Sequence, residues 1–308
     1  MEQTVSILKS ATGDSASEDR DRAEILGNLP PNLCERNGTC FAPRVQYHMQ
    51  LHGVRHGGDL KIVETGREKT MDEENIITQI RAALEKDTRI NLHRYPINVS
   101  MQNGDVVLAG EVENIATKKL ALVVASETLG VQRIIDRLKV IPAEKMGDAE
   151  IRDHIFKVLT EEPALEHCFV HRPGEGEMAR IRKAAPESAG SIVVEVSDGT
   201  VVLNGEVPSL THKRLAGVLA WWVPGSRDVI NGLEEVPPEQ DNDDELIDAV
   251  RLVLEKDPFV NAADIRVSSK DWVVTLEGLV PTETMKQMAE RDTWYVLGVK
   301  SVINMIAV

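Results

Sequence analysis

Cysteine and histidine side chains that could bind a metal ion are concentrated near the N-terminus. Cys34 and Cys40 are separated by five residues, and His48, His52 and His56 follow at intervals of four. Thiolates and imidazoles suit zinc, but structural zinc sites usually have cysteines two to four residues apart. Because this spacing is looser and the histidines fall on a predicted strand and turn, these five residues are weak candidates. We expect no cofactor.

Sequence motifs of the common enzyme classes are absent. The chain has no P-loop, no G-x-G-x-x-G, no H-E-x-x-H and no G-x-S-x-G. Two Gly-Glu-Val segments carry Glu111 and Glu206, which we interpret as solvent-facing residues at strand ends. The sequence therefore predicts a protein that is not an enzyme.

Two pairs of adjacent aromatic residues could bind a partner. Trp221 precedes Trp222, and Trp294 precedes Tyr295, each pair near the end of a predicted helix. Neighbouring helical residues point about 100° apart, so both members of a pair cannot face one small core. The pairs could anchor an interface between chains, pack between parts of one chain, or contact lipid or another ligand. Trp272, beside a predicted turn, is a further interface candidate.

A basic segment interrupts an otherwise acidic chain at about residues 166–190. Arg180, Arg182 and Lys183 lie within it. They could bind acidic surfaces of other protein copies, or the segment could be a solvated loop.

The overall charge is acidic, with a formal net charge of -15. This disfavours nucleic acid as a partner, because binding phosphates requires an excess of Lys and Arg. No apolar run is long enough to span a membrane, and the N-terminus lacks the features of a secretory signal. With only three cysteines, we expect no disulfide framework and a cytoplasmic location.

A strand that ends in glycine occurs three times. It reads VVLAGEV at 106–112, VVLNGEV at 201–207 and VVTLEGLV at 273–280. A second glycine follows each time at the same distance, and we expect it to end a helix in left-handed geometry. The structural glycines form the pairs Gly110 and Gly130, Gly205 and Gly225, and Gly278 and Gly298.

The segments around these glycines predict the same order of elements in each copy. An amphipathic helix precedes a hairpin, whose turns contain Asn103-Gly104 and Asp198-Gly199 in the first two copies. The third copy has Asp271-Trp272 there, so we expect a different turn. A second helix and a closing strand complete an αββαβ module.

The predicted fold class is α+β, with three tandem modules of two helices packed on a three-stranded mixed sheet. Alternating apolar residues before these modules predict an N-terminal arm with a β-hairpin. The predicted boundaries are 1–70 for this arm, 72–141 for the first module, 147–236 for the second with its insertion, and 243–308 for the third.

The repeated pattern resembles the BON domain of bacterial envelope and stress proteins. The best-matching stretches are DGTVVLNGEV at 198–207 and LGVKSVINMI at 297–306. The resemblance implies the αββαβ fold and a non-catalytic role in binding phospholipid, envelope polymers or protein partners. The chain differs from most such proteins, since it shows no export signal or lipid-attachment cysteine at its start.

Two classes of function remain open from the sequence. The first is a structural or scaffold protein that self-assembles into a homo-oligomer or binds protein partners. The alternative is a phospholipid- or small-ligand-binding module of the envelope or osmotic-stress type. An ion sensor is less favoured, because no loop of oxygen ligands typical of calcium sites is present.

Overall fold

The computed structural model of the chain describes residues 73–171 and 190–308. All of these residues belong to one compact unit. The predicted N-terminal hairpin and the five weak metal-site candidates lie outside the described residues.

Three modules with the predicted order of elements follow one another, which confirms the α+β fold class. In each, two strands form an antiparallel hairpin, and the last strand pairs in parallel with the second hairpin strand. Module 1 contains α1 (Glu73–Lys86), β1 (Asn98–Gln102), β2 (Asp105–Val112), α2 (Ile115–Ser126) and β3 (Ile134–Val140). Module 2 contains α3 (Asp148–Glu161), a 3₁₀ turn (Pro163–Leu165), β4 (Cys168–His171), β5 (Gly190–Ser197), β6 (Thr200–Val207), α4 (Leu210–Trp222) and β7 (Asp228–Glu235). Module 3 contains α5 (Asp243–Lys256), a 3₁₀ turn (Ala262–Asp264), β8 (Ile265–Lys270), β9 (Val273–Leu279), α6 (Glu283–Tyr295) and β10 (Ser301–Ala307).

Module 2 differs from the prediction because its sheet has four strands. The additional strand β4 pairs in parallel with β5, from Cys168 opposite Gly190 to His171 opposite Val193. The start of the predicted insertion is therefore part of the sheet. Because β4 covers the outer edge of β5, this hairpin strand has a partner on both sides, whereas β1 and β8 each pair with one strand among the described residues.

The first helix of modules 2 and 3 binds the hairpin turn of its own module. Asp148, the first residue of α3, accepts hydrogen bonds of 2.9 Å from the backbone N–H groups of Asp198 and Gly199. Asp243 does the same for Asp271 at 2.9 Å and Trp272 at 3.0 Å. An acidic residue at a helix N-terminus is also favoured by the helix dipole. The acidic residue that begins each of these helices thus has two roles. It interacts favourably with the helix dipole, and it binds the hairpin turn.

The turn of module 3 was predicted to differ from the other two, and this is wrong. Asp271 and Trp272 adopt left-handed φ values of 54° and 68°, close to the 49° and 68° of Asp198 and Gly199. Two residues with positive φ are what a two-residue hairpin loop requires. Trp272 therefore holds a conformation that bulky side chains rarely adopt, stabilised by the Asp243 carboxylate.

The repeated glycines have two different roles. At Gly205, φ is 123°, and a Cβ atom would lie 2.0 Å from the carbonyl oxygen of Ser191. Only glycine fits where the hairpin strands approach so closely. Gly225, in contrast, is not among the residues with positive φ, and a Cβ there would meet Ile151 and Met146. The expected left-handed helix end is therefore wrong for Gly225. Glycine fits there because a side chain would be too close to Ile151 and Met146.

An asparagine or aspartate in the closing strand occupies the same position in all three modules. Asn304 Oδ1 accepts a hydrogen bond from the Ile306 N–H at 3.2 Å, and its Nδ2 donates to the Lys286 carbonyl at 3.1 Å. Asn231 and Asp136 accept equivalent bonds from Leu233 and Leu138. The side chain thus binds an N–H of the strand that a further strand would otherwise use, which disfavours edge-to-edge sheet pairing.

The apolar cores are not divided evenly among the modules. One cluster of buried residues runs from module 1 into module 3 and includes Val218 from module 2. A second cluster belongs to module 2 and is joined by Leu252 from α5. The modules are therefore packed into a single body, and residues of one module contribute to the core of another. Among the described helices, none is both long and apolar enough to cross a membrane.

Candidate interaction surfaces

The aromatic pairs of α4 and α6 meet between modules 2 and 3 of the same chain. The rings of Trp221 and Tyr295 are stacked, with centroids 5.8 Å apart and planes inclined by 20°. Trp222 Nε1 donates a hydrogen bond of 3.1 Å to Asp292 Oδ1. Trp294 is buried, at 3% exposure. Within the chain, these residues therefore contact one another across the boundary between modules 2 and 3.

Asp292 is a buried carboxyl group at this boundary. It is 1% exposed, and its Oδ2 atom has no hydrogen-bond donor among the described residues. Burial raises its pKa to about 8, and the neighbouring carboxyl of Asp257 adds to this effect. Trp222 and Arg291 act in the opposite direction. The carboxyl is therefore kept protonated at neutral pH, when it can donate to Asp257.

Modules 1 and 2 are joined by a buried ion pair. Lys118 Nζ lies 2.6 Å from Asp228 Oδ1, and it also binds the Leu138 carbonyl at 2.7 Å and Asp136 at 3.0 Å. Lys118 therefore has an acceptor for each of its three protons. On the rim, Arg227 binds Glu111 of module 1 at 2.5 Å.

Cations from modules 1 and 2 meet at the C-terminal end of α6 in module 3. Lys119 Nζ donates to the Val296 carbonyl at 2.8 Å, and Arg214 Nε donates to the Leu297 carbonyl at 2.9 Å. Lys119 and Arg214 occupy equivalent repeat positions, nine residues after Gly110 and Gly205. The end of a helix carries partial negative charge, which suits both groups. Burial, with the nearby Arg214, lowers the pKa of Lys119 to about 7.

The outer face of the module 3 sheet carries exposed apolar side chains. Leu279, Ile303 and Met305 are 65%, 48% and 62% exposed. Leu279 stands where the other modules have Glu111 and Glu206. This face of module 3 is thus less polar than the corresponding faces.

A groove between α1 and α2 in module 1 is also open. Its volume is about 680 Å³. Leu129, on its rim, is 76% exposed. The residues lining the groove include Gln79, Ala83, Lys86, Val124, Glu127 and Leu129.

Other residues singled out from sequence lie outside the described residues or are partly buried. Arg180, Arg182 and Lys183 lie outside the described residues, as do the weak metal-site candidates. Within residues 73–171 and 190–308, no group of three potential ligands could hold a metal ion. Trp272 is partly buried beside Gly298 rather than exposed on a surface.

Sequence reasoning missed the polar residues that join the modules. Asp292 carried a signal, because it interrupts the apolar positions of the second helix that Val124 and Leu219 maintain in the other modules. Lys118 and Arg214 carried none, since a basic residue on an amphipathic helix is ordinarily solvated.

Comparisons with known proteins agree with the repeat. The family model described as "BON domain" matches residues 72–142, 178–237 and 242–308. The second match begins after α3, which nevertheless packs in the core of module 2. No curated protein matches the chain.

Two solved structures of CdsD, a structural protein of the type III secretion system of Chlamydia trachomatis, match this chain. The first, its C-terminal domain, is 15% identical, covering 77% of this chain and 98% of that one, with a TM-score of 0.19. The second is 16% identical, covering 76% and 91%, also with a TM-score of 0.19.

Proposed function

Since the chain belongs to the BON domain family, in three copies, we propose that it is a non-enzymatic scaffold that self-assembles through its helical surfaces. The observation that supports this is the docking of α4 from module 2 against α5 and α6 of module 3. There Trp221 stacks on Tyr295 and Trp222 binds Asp292. Aromatic anchors with a satisfied polar contact are typical of protein interfaces. A module of this kind therefore recognises another module through its helices.

The side of the module used for docking is also consistent with assembly. The closing strands have an N–H occupied by Asp136, Asn231 or Asn304, so sheet-to-sheet extension is disfavoured. Helical faces remain as surfaces where modules can associate without merging their sheets.

Light scattering coupled to size-exclusion chromatography tests this function. We expect the purified chain to have a mass of at least two copies at micromolar concentration and to dissociate on dilution. A monomer whose mass does not change with concentration would contradict self-assembly. Flotation with phospholipid vesicles tests the alternative, and co-migration of the protein with vesicles would favour a lipid-binding module.

A further inference from the structure

Module 1 has a groove between its two helices, and the repeat aligns the residues of this groove with positions in module 3. Ala83 of module 1 corresponds to Val253 of module 3, and Val124 corresponds to Asp292. In module 3 both positions are 1% exposed. Trp222 of α4 in module 2 binds Asp292, and Val253 belongs to the apolar cluster that Val218 of α4 joins. The chain itself therefore shows what covers a groove of this type, which is another module.

The contact between modules 2 and 3 uses corresponding parts of both. Trp222, at the end of the second helix of module 2, donates to Asp292 on the second helix of module 3. Lys256, at the end of the first helix of module 3, donates to Glu162, just after the first helix of module 2, at 2.5 Å. Each module thus presents its helices to the other.

The groove of module 1 has no such cover among the described residues. Ala83 and Val124 are partly exposed, and Leu129 is 76% exposed. Within a mostly polar lining, Ala83, Val124 and Leu129 are apolar positions that association would remove from water.

We propose that the module 1 groove binds the module 1 groove of a second copy of this chain, forming a two-fold dimer. This names the surface and the partner for the proposed self-assembly and rests on that function. In a two-fold contact the same patch is used on both subunits, so each favourable pair occurs twice.

The charges on the groove rim fit this partner. Lys86 occupies the repeat position of Lys256, and Asp87 occupies that of Glu162, the two residues that bridge modules 2 and 3. In the dimer, Lys86 of each chain meets Asp87 of the other. Asp87 also binds Arg89 at 2.6 Å, which lowers its pKa and keeps it charged. Lys86 and Asp87 are therefore complementary across a two-fold axis, and Glu127 is a further acidic residue in the lining.

A charge exchange tests the pairing. Lys86→Asp alone and Asp87→Lys alone place like charges opposite each other, and each should raise the dimer Kd about tenfold or more. An equimolar mixture of the two variants restores both opposite-charge pairs and should return the Kd to near that of the unmodified chain. Sedimentation velocity measures these values. If mixing the variants does not restore association, the proposed pairing is wrong.

Two substitutions of an exposed apolar residue by Glu, one in the module 1 groove and one on module 3, distinguish this surface from others. Leu129→Glu should dissociate the dimer, whereas Met305→Glu, an equal change at an exposed position on module 3, should leave it intact. Unfolding by urea checks that both variants remain folded. If the unmodified chain is oligomeric and Leu129→Glu is too, the groove assignment fails while self-assembly stands. If the unmodified chain is monomeric, both fail.

Photo-crosslinking identifies the occupant directly. Leu129→p-benzoylphenylalanine is introduced into the full chain, and equal amounts of ¹⁴N- and ¹⁵N-labelled protein are mixed before irradiation. Mixed-isotope products joining residue 129 to module 1 of a second copy are the expected result. Crosslinks within one chain to residues 1–70, or between copies but to a different module, would overturn the proposal.

Discussion

Lys118 and Asp228 lie 2.6 Å apart in a buried ion pair, although 110 residues separate them in the chain. One belongs to α2 of module 1 and the other begins β7 of module 2. The Lys118 side chain is 6% exposed and that of Asp228 is 10% exposed. The pair therefore fixes the position of two modules that the sequence joins only through a short connection.

Lys118→Met should destabilise the chain by about 3 to 5 kcal/mol, because it leaves Asp228 buried without its principal cation. Asp228→Asn should also destabilise, since Lys118 then loses one of two carboxylates. We expect the double variant to lose less free energy than the sum of the two single variants. Urea unfolding followed by circular dichroism provides the three values. Additive losses would mean that the two groups do not stabilise each other.

The buried carboxyl of Asp292 predicts a pH dependence of stability. Its pKa in the folded chain is about 8, against an ordinary value of 3.8, mainly because of burial and secondarily because of Asp257. Between these values the folded state binds one more proton than the unfolded state. The contribution of Asp292 is therefore complete below pH 3.8 and is lost as pH rises towards 8.

Asp292→Asn should flatten this part of the pH profile and make the chain more stable than the unmodified protein at pH 9. Asparagine keeps an acceptor for Trp222 and can donate to Asp257, but it does not ionise. The measurement is the free energy of unfolding in urea at a series of pH values from 5 to 9. Asp248→Asn, at an exposed position on α5, is the control and should leave the slope unchanged. An identical slope for Asp292→Asn would contradict the assignment.

The left-handed conformation of Trp272 can be tested by two substitutions that remove the ring equally. Trp272→Ala loses the packing and keeps a Cβ at a φ of 68°, whereas Trp272→Gly loses the packing and relieves the backbone. The glycine variant should be about 1 kcal/mol more stable than the alanine variant. Urea unfolding compares them. Equal stability would show that the turn relaxes once the indole is absent.

Close approach of the hairpin strands predicts that Gly205→Ala is severely destabilising. A Cβ would lie 2.0 Å from the Ser191 carbonyl oxygen, so the strand must shift. Gly104→Ala is the control, because it shares a positive φ but has no atom within 4 Å. We expect a loss of about 1 kcal/mol for Gly104→Ala and several times more for Gly205→Ala. Melting temperatures of the two variants would rank them. A similar loss for both would refute the steric argument.

The sequence was sufficient to predict the three modules, because each local signal recurs at the same spacing. Hairpin dipeptides, apolar helix positions and the glycines supported one another three times. Strand β4 was not predictable, since its four residues have no counterpart in the other copies. Nor was the turn at Trp272, where a carboxylate from the preceding helix compensates for an unfavourable conformation.

The joins between modules were even less accessible to sequence reasoning. Apolar residues at helical spacing indicate that one face of a helix is buried. They do not indicate which of several equivalent faces it packs against. Asp292 could be recognised as an interruption, yet its partner Trp222 lies 70 residues away. Polar contacts of this kind depend on the packed arrangement and have no local signal.

The end of α6 accepts Lys119 from module 1 and Arg214 from module 2, and this has a consequence for synthesis on the ribosome. Domains emerge and fold from the N-terminal side, so both donor side chains are made long before their acceptors at Val296 and Leu297. Until then, Trp221 lacks Tyr295 as its stacking partner. Folding of the third module thus completes the contacts between modules. A nascent chain interrupted before α6 would expose the indole of Trp221, which cellular quality control can recognise.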